Sequence, residues 1–174
     1  MTLKSNLTRA FGFGPRAPRA AAALYARAIE LARAPAWYSA GGVPDTLDGR
    51  FEMVALTCAL AIARLQALGA AQAEADLTDR FTEDMDASLR ESGVSDLAIS
   101  KQVGHAVGAL GGRIGAYRAG LARDDAALEA VLARNLYANA VPEPAMLAWA
   151  VREIRALWAR CCKADAAALA DGRV

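Results

Sequence analysis

The chain has 174 residues and a net charge of +1, and 55% of its residues are hydrophobic. This length suits one domain that can bury a sizeable core. The near-neutral charge gives no electrostatic case for specific nucleic-acid binding. Of the three cysteines, Cys58 fits a core position, whereas Cys161 and Cys162 are adjacent on a helix, where their side chains diverge. We therefore expect a reducing compartment and no disulfide framework.

Residues 1–19 are a basic segment with four Lys or Arg residues and no carboxylate. The segment lacks the continuous apolar region of a secretory signal. It is compatible with an organellar transit peptide, but a flexible basic tail is the simpler interpretation. Such a tail could touch an anionic membrane or ribosomal RNA.

The remainder predicts an all-α, single-domain bundle of about six helices. Alanine is abundant and is the best helix former, and few stretches show the alternation of a strand. The bundle domain is expected over residues 20–165, and residues 166–174 are expected to fray. The predicted helices cover residues 20–33, 48–68, 71–91 and 95–121, then start near Asp124 or Asp125 and near Pro144.

The second of these helices is predicted to lie at the centre of the bundle. Residues Phe51 to Leu68 are apolar on nearly every side, which is typical of a helix buried all round. The uninterrupted apolar part is too short for a membrane span, which needs roughly 20 residues. Either Thr46 or Asp48 can cap the start of this helix.

The polar turn from Val43 to Arg50 is the first candidate contact site. Asp45, Asp48 and Arg50 are concentrated there, shortly after Trp37 and Tyr38. We expect the two aromatic residues to anchor the preceding loop, and all five residues are candidates for contact with a partner. Local turn and capping chemistry would explain the same residues, so both interpretations stay open.

The third helix carries acidic side chains along one face. They recur at steps of three and four residues, at Asp76, Asp79, Glu83 and Asp86. One interpretation is a solvated face that Arg80 and Arg90 partly neutralise; the other is a docking face for a basic partner, with Arg90 at its end. Like charges four residues apart cost a few tenths of a kcal/mol each in a helix.

Glycines recur along one face of the fourth helix, at Gly104, Gly108, Gly112 and Gly115. Each glycine inside a helix costs about 0.8–1.0 kcal/mol relative to alanine, so four cost roughly 3–4 kcal/mol. Small residues at this spacing let another helix approach closely, as they do between membrane helices. The neighbour is either another helix of the same bundle or, if the groove is open, a transmembrane helix of a client protein.

Catalytic constellations are not apparent in the sequence. His105 is the one histidine, and a lone histidine on a helix is more often structural or exposed than catalytic. The clustered Cys and His of a zinc site and the paired Glu-x-x-His motifs of a di-iron bundle are missing. We therefore expect no enzyme, no metal and no cofactor.

Two motifs carry a family resemblance. VPDTLDGRFEM, at the start of the central helix, and DRFTEDMDASLRESGVSDLAI, at residues 79–99, resemble the ubiquinol–cytochrome c chaperone family over about Leu24 to Tyr117. The resemblance implies an assembly factor of the cytochrome bc1 complex whose client is newly made cytochrome b. It also implies work in the bacterial cytoplasm at the inner membrane, with peripheral membrane contact, or in the mitochondrial matrix. A ribosome or a small partner protein would be a further binding partner.

A second hypothesis is a small helical enzyme or ligand-binding bundle with a closed apolar pocket. A deep apolar cavity with convergent polar groups would favour it. A shallow exposed groove, apolar or charged, would favour the assembly factor.

Overall fold

The computed structural model of the chain describes residues 21–174, and the predicted basic tail at 1–19 lies outside this range. The described part is all-α and contains no strand. Six longer helices confirm the predicted bundle, and two one-turn helices, α2 and α8, were not predicted. The helices are α1 Ala22–Ala32, α2 Pro35–Ser39, α3 Leu47–Ala67, α4 Ala71–Glu91, α5 Asp96–Leu121, α6 Asp125–Asn135, α7 Pro144–Lys163 and α8 Ala166–Ala170.

Helix α3 is the centre of the bundle, as predicted. Every residue from Met53 to Ala63 is buried, and α1, α4, α5, α7 and α8 all pack against this helix. Thr57 is a buried polar residue of α3, and its hydroxyl donates to the Met53 carbonyl at 3.1 Å. Because that hydrogen bond is made within the helix, the hydroxyl is buried without losing its partner.

The turn before α3 is shaped by Thr46 and Gly49. The Thr46 hydroxyl accepts a hydrogen bond from the Gly49 backbone N–H at 3.1 Å, so Thr46, not Asp48, is the N-cap. A Cβ at Gly49 would lie only 2.0 Å from the Pro44 carbonyl oxygen. The turn can therefore close onto the first turn of α3 only because residue 49 has no side chain.

The segment 166–174 differs from the predicted frayed tail. Asp165 caps α8 by accepting a hydrogen bond from the Ala168 N–H at 2.7 Å. Leu169 is completely buried, and α8 packs against both α1 and α3. Arg64 of the central helix also donates to the Ala164 carbonyl at 3.0 Å. One buried leucine and one helix cap thus hold in place a segment that was predicted to fray.

The hairpin of α4 and α5 extends beyond the core. Between residues 82 and 109, which we call the arm, Ile99 is the one buried residue. The last buried residue of α4 is Phe81, and after Ile99 the next buried residue of α5 is Leu110. The arm therefore presents most of its side chains to solvent, although its apolar periodicity is that of a packed helix.

Candidate functional site

The outward side of α5 is a bare helix surface. A Cβ built at any of five glycines, which we call the glycine face, meets no atom of the described residues within 4 Å. These residues are Gly104, Gly108, Gly111, Gly112 and Gly115. The alternative that another helix of the bundle fills this face is therefore wrong for the described part of the chain.

Leu97 extends the glycine face toward the tip of the arm. Its side chain is 97% exposed, and Gly104 and Gly111 follow at steps of seven residues, which keeps all three on one side of a helix. The stretch from Leu97 to Gly115 is about 27 Å long at 1.5 Å per residue. Sequence reasoning missed Leu97, although the seven-residue step was a signal that could have found it.

An ion pair lies on the inward side of α5. The Arg113 guanidinium donates to Glu52 of α3, with its Nε 2.6 Å from Oε2. Both side chains are largely buried, at 15% and 17% exposed. Burial raises the pKa of Glu52, and the hydrogen bond from Arg113 opposes that rise. Leu110 and Tyr117 are buried on the same inward side of α5, so the glycines are left outside.

An open groove runs beside the glycine face, between α4, α5 and the end of α3. Its volume is about 360 Å³. The groove is lined by Gly111 and Gly115, by apolar side chains such as Leu110 and Ile114, and by polar groups including Glu74 and Arg118. A second depression, of about 450 Å³, lies near the C-terminal end of α7 and is also open. Neither depression is the closed apolar pocket that the second hypothesis requires.

Trp37 is not available to a partner. The side chain is buried, its Nε1 donates to the Leu31 carbonyl at 2.9 Å, and its ring packs edge-on against Trp149 with 5.3 Å between centroids. Tyr38 is half-buried, and its hydroxyl donates to the Ala32 carbonyl at 3.0 Å. The two aromatic residues anchor the loop, as expected, but Trp37 is wrong as a contact residue.

The polar turn itself is exposed. Arg50 and Asp45 form an ion pair at 2.7 Å, and the hydrogen bond from Arg50 lowers the pKa of the Asp45 carboxyl. Asp48 is exposed at the start of α3. Leu47 lies between them in sequence and is 82% exposed. The turn thus offers one apolar and three charged side chains to a partner.

The acidic face of α4 is paired along its length. Glu83 lies 3.0 Å from Arg80, and Asp86 lies 2.6 Å from Arg90. Arg90 also reaches Asp96 at 2.8 Å, which links the two helices of the arm across the turn. These pairs are those expected for a solvated face, and they leave Glu83 and Asp86 accessible at the surface.

A family model described as ubiquinol-cytochrome C chaperone matches residues 39–174. This range begins just before the polar turn and includes the glycine face and α7. The chain belongs to the ubiquinol–cytochrome C chaperone family. The match reaches the end of the sequence, further than the resemblance over about Leu24 to Tyr117 indicated.

A solved structure supports the same assignment. The chain is 30% identical to the Cbp3 homolog from Brucella abortus, with a TM-score of 0.75, and the likeness covers 98% of this chain and 91% of that one. A search of curated proteins gave no significant match. Fold and family therefore agree over residues 39–174.

Two of the three cysteines, Cys58 and Cys161, are buried, and Cys162 is exposed. His105 is exposed. Burial raises the pKa of the Cys58 thiol to about 12 and that of Cys161 to about 11, so both stay protonated at neutral pH. Within residues 21–174 no group of three His, Cys, Asp or Glu residues is placed to hold a metal.

No helix in the described range combines the length and apolar composition needed to cross a bilayer.

Proposed function

We propose that this chain is an assembly chaperone of the cytochrome bc1 complex that holds newly made cytochrome b before its maturation is complete. The family assignment and the likeness to a Cbp3 homolog support this role. The chaperone binds its client and does not catalyse a reaction on it. It works in the bacterial cytoplasm at the inner membrane, or in the mitochondrial matrix if the chain is eukaryotic, and its contact with the membrane is peripheral.

We further propose that the glycine face receives an apolar helix of the client. Five glycines inside one helix cost on the order of 4–5 kcal/mol relative to alanine, and no described residue packs on them to offset that cost. Contact with another helix would offset that cost, because glycines let a second helix backbone approach closely, and the close contact gains dispersion energy. Gly104, Gly108 and Gly112 form the centre of the proposed site, and Leu97 forms its outer end.

A second contact is assigned to charged residues. The turn with Asp45, Asp48 and Arg50 and the acidic face with Asp79, Glu83, Asp86 and Arg90 suit a small basic partner protein or a basic ribosomal protein. Exposed charges of this kind steer association and contribute less to affinity. These residues are therefore expected to affect the rate of binding more than its final strength.

Capture of the client tests the role directly. A tagged chain, purified in mild detergent from cells making their own cytochrome b, should retain that protein. Deletion of the gene should lower assembled cytochrome b while its transcript stays unchanged. Normal b-type haem absorbance and normal bc1 activity in the deletion strain would refute the proposed role.

Gly108→Leu tests the site. The new side chain enters open space, so the melting temperature should hold or rise, because leucine is the better helix former. Capture of cytochrome b should fall, because the client helix can no longer reach the backbone of α5. Ala130→Leu on α6, also at an exposed position, is the matched control and should capture normally. Equal capture by the two variants would remove the glycine face from the proposal.

A further inference from the structure

The outward side of α7 carries exposed cations without carboxylate partners. Arg152, Arg160 and Lys163 are all exposed, and none forms an ion pair with a carboxylate of the described residues. Together they span about 16 Å of helix. The opposite side of α7 is buried through Ile154 and Leu157. We call these three cations the basic face.

Small side chains separate the cations. Ala156 and Ala159 are exposed between Arg152 and Arg160, so no large side chain projects from the helix between these two arginines on this side. Glu153 is half-buried and is the one carboxylate of α7. The aromatic residues of the helix, Trp149 and Trp158, pack against the core instead of standing on this surface.

The basic face continues into the open depression at the end of α7. Arg160, Lys163 and Arg173 line it, and Ala164 and Ala168 supply apolar lining. Arg173 is paired with Asp171 at 3.2 Å. Cations near the end of a helix also balance its dipole, but Arg152 lies more than two turns earlier, where that effect has faded.

Helices α4 and α7 carry opposite net charges. Helix α4 has seven carboxylates and two arginines, whereas α7 has four cations and one carboxylate. Helix α4 packs against α1, α3 and α5, and α7 packs against α3 and α6. An anionic surface would therefore attract α7 and repel α4, which favours an orientation with the basic face toward that surface.

We propose that the basic face binds the anionic headgroups of a phospholipid bilayer. This inference rests on the proposed function in one respect: it names the surface that makes the proposed peripheral contact with the membrane. A flat row of cations separated by alanines matches a layer of phosphate groups, and a cation near such a surface strengthens binding about fivefold. Single-stranded RNA is the less favoured occupant, because aromatic side chains that would stack on bases are turned inward.

Sedimentation with vesicles tests the proposal. The full chain is mixed with phosphatidylcholine vesicles that contain or lack about one quarter phosphatidylglycerol, at low and at high salt. Binding should require the anionic lipid and should weaken as salt screens the charges. The triple variant Arg152→Gln, Arg160→Gln and Lys163→Gln should bind about 100-fold more weakly, from three fivefold steps. Its melting temperature should match that of the wild type.

The matched control removes three other exposed arginines, Arg33→Gln, Arg123→Gln and Arg134→Gln, and so changes the net charge equally. It should lose less than tenfold. The proposal would be overturned if the two triple variants lost equal affinity, or if the wild-type chain bound vesicles of phosphatidylcholine alone. It would also be overturned if RNA displaced the chain from anionic vesicles at equal phosphate concentration. Client capture in detergent needs no bilayer. Capture without vesicle binding therefore refutes only the basic face, and vesicle binding without capture refutes only the chaperone role.

Discussion

Arg113 of α5 and Glu52 of α3 form a largely buried ion pair, with the Arg113 Nε 2.6 Å from the Glu52 Oε2. The same guanidinium lies 5.8 Å from the centre of the Phe51 ring. The pair lies on the side of α5 where Leu110 and Tyr117 are also buried, and the glycine face lies on the other side of the helix.

Arg113→Met should lower the free energy of unfolding by about 2 kcal/mol at pH 7, because it leaves a buried carboxylate unpaired. Burial already raises the pKa of Glu52, and loss of Arg113 raises it further. A raised carboxyl pKa destabilises the fold above that pKa, and the cost disappears below the ordinary value, where the group is protonated in both states. Urea denaturation should therefore show a smaller loss at pH 4 than at pH 7.

The double variant Glu52→Gln with Arg113→Met is the control for that pH dependence. It removes the charge together with its partner, so most of the stability should return and the difference between the two pH values should vanish. A loss for Arg113→Met that is the same at pH 4 and pH 7 would mean that the lost packing on Phe51, not the charge, is responsible.

Two glycine-to-alanine substitutions should have opposite effects. Gly49→Ala places a Cβ against the Pro44 carbonyl oxygen and should cost about 1–3 kcal/mol, because backbone must move. Gly108→Ala meets open space and should stabilise the chain by about 0.8–1.0 kcal/mol through helix propensity. The midpoints of urea denaturation measure both effects. Destabilisation by Gly108→Ala would show that a part of the chain does pack on the glycine face.

The buried tyrosines provide a second matched pair. The Tyr117 hydroxyl is buried with no hydrogen-bond partner among the described residues, whereas the Tyr137 hydroxyl donates to the Gly41 carbonyl at 2.6 Å. Tyr137→Phe should cost about 1–2 kcal/mol, since it leaves a buried carbonyl unpaired. Tyr117→Phe should be neutral or slightly stabilising, because it removes only an unsatisfied group. Thermal denaturation of the two variants side by side is sufficient, and a clear loss for Tyr117→Phe would indicate a bound water.

Charge reversal tests the acidic face. Glu83→Lys with Asp86→Lys should change stability by no more than about 1 kcal/mol per pair, because the pairs with Arg80 and Arg90 are exposed. Association with a basic partner that co-purifies should slow, and its rate should become less sensitive to salt. Reversal of Glu30 and Glu143, on other parts of the surface, is the control. Unchanged association would leave the acidic face as a solvated surface.

Much of the bundle could be predicted from local sequence. The burial of the central helix could be predicted because apolar residues such as Val54 and Ile62 occur on every side of it. A helix with this pattern must be buried, whichever helices surround it. The cap at Thr46 was one of two candidates, and only the fold distinguishes them. Helix α8 was missed because its single buried leucine, Leu169, gives no periodicity to detect.

The candidate site was harder to predict, because exposure is a tertiary property. Trp37 and Gly108 illustrate the two directions of error. An aromatic residue beside a polar turn suggests a contact surface, yet Trp37 is covered by Trp149. A glycine repeat suggests close internal packing, yet Gly108 faces outward. Sequence spacing shows which residues share a side of a helix, and the packing of α5 on α3 decides which side is covered.

The sparse burial in the arm has a consequence for how its sequence can be studied. Among residues 82–109 only Ile99 is buried and more than half are exposed, so substitutions at the exposed positions remove little packing and change stability by about 0.5 kcal/mol or less. A library of variants scored by protein abundance should therefore be nearly flat across the arm and steep across α3. The same library can also be scored by growth that depends on respiration. A change in the arm that lowers growth but not abundance would then indicate lost binding. At the exposed positions of the arm, such a loss of growth without a loss of abundance therefore identifies residues that bind a partner.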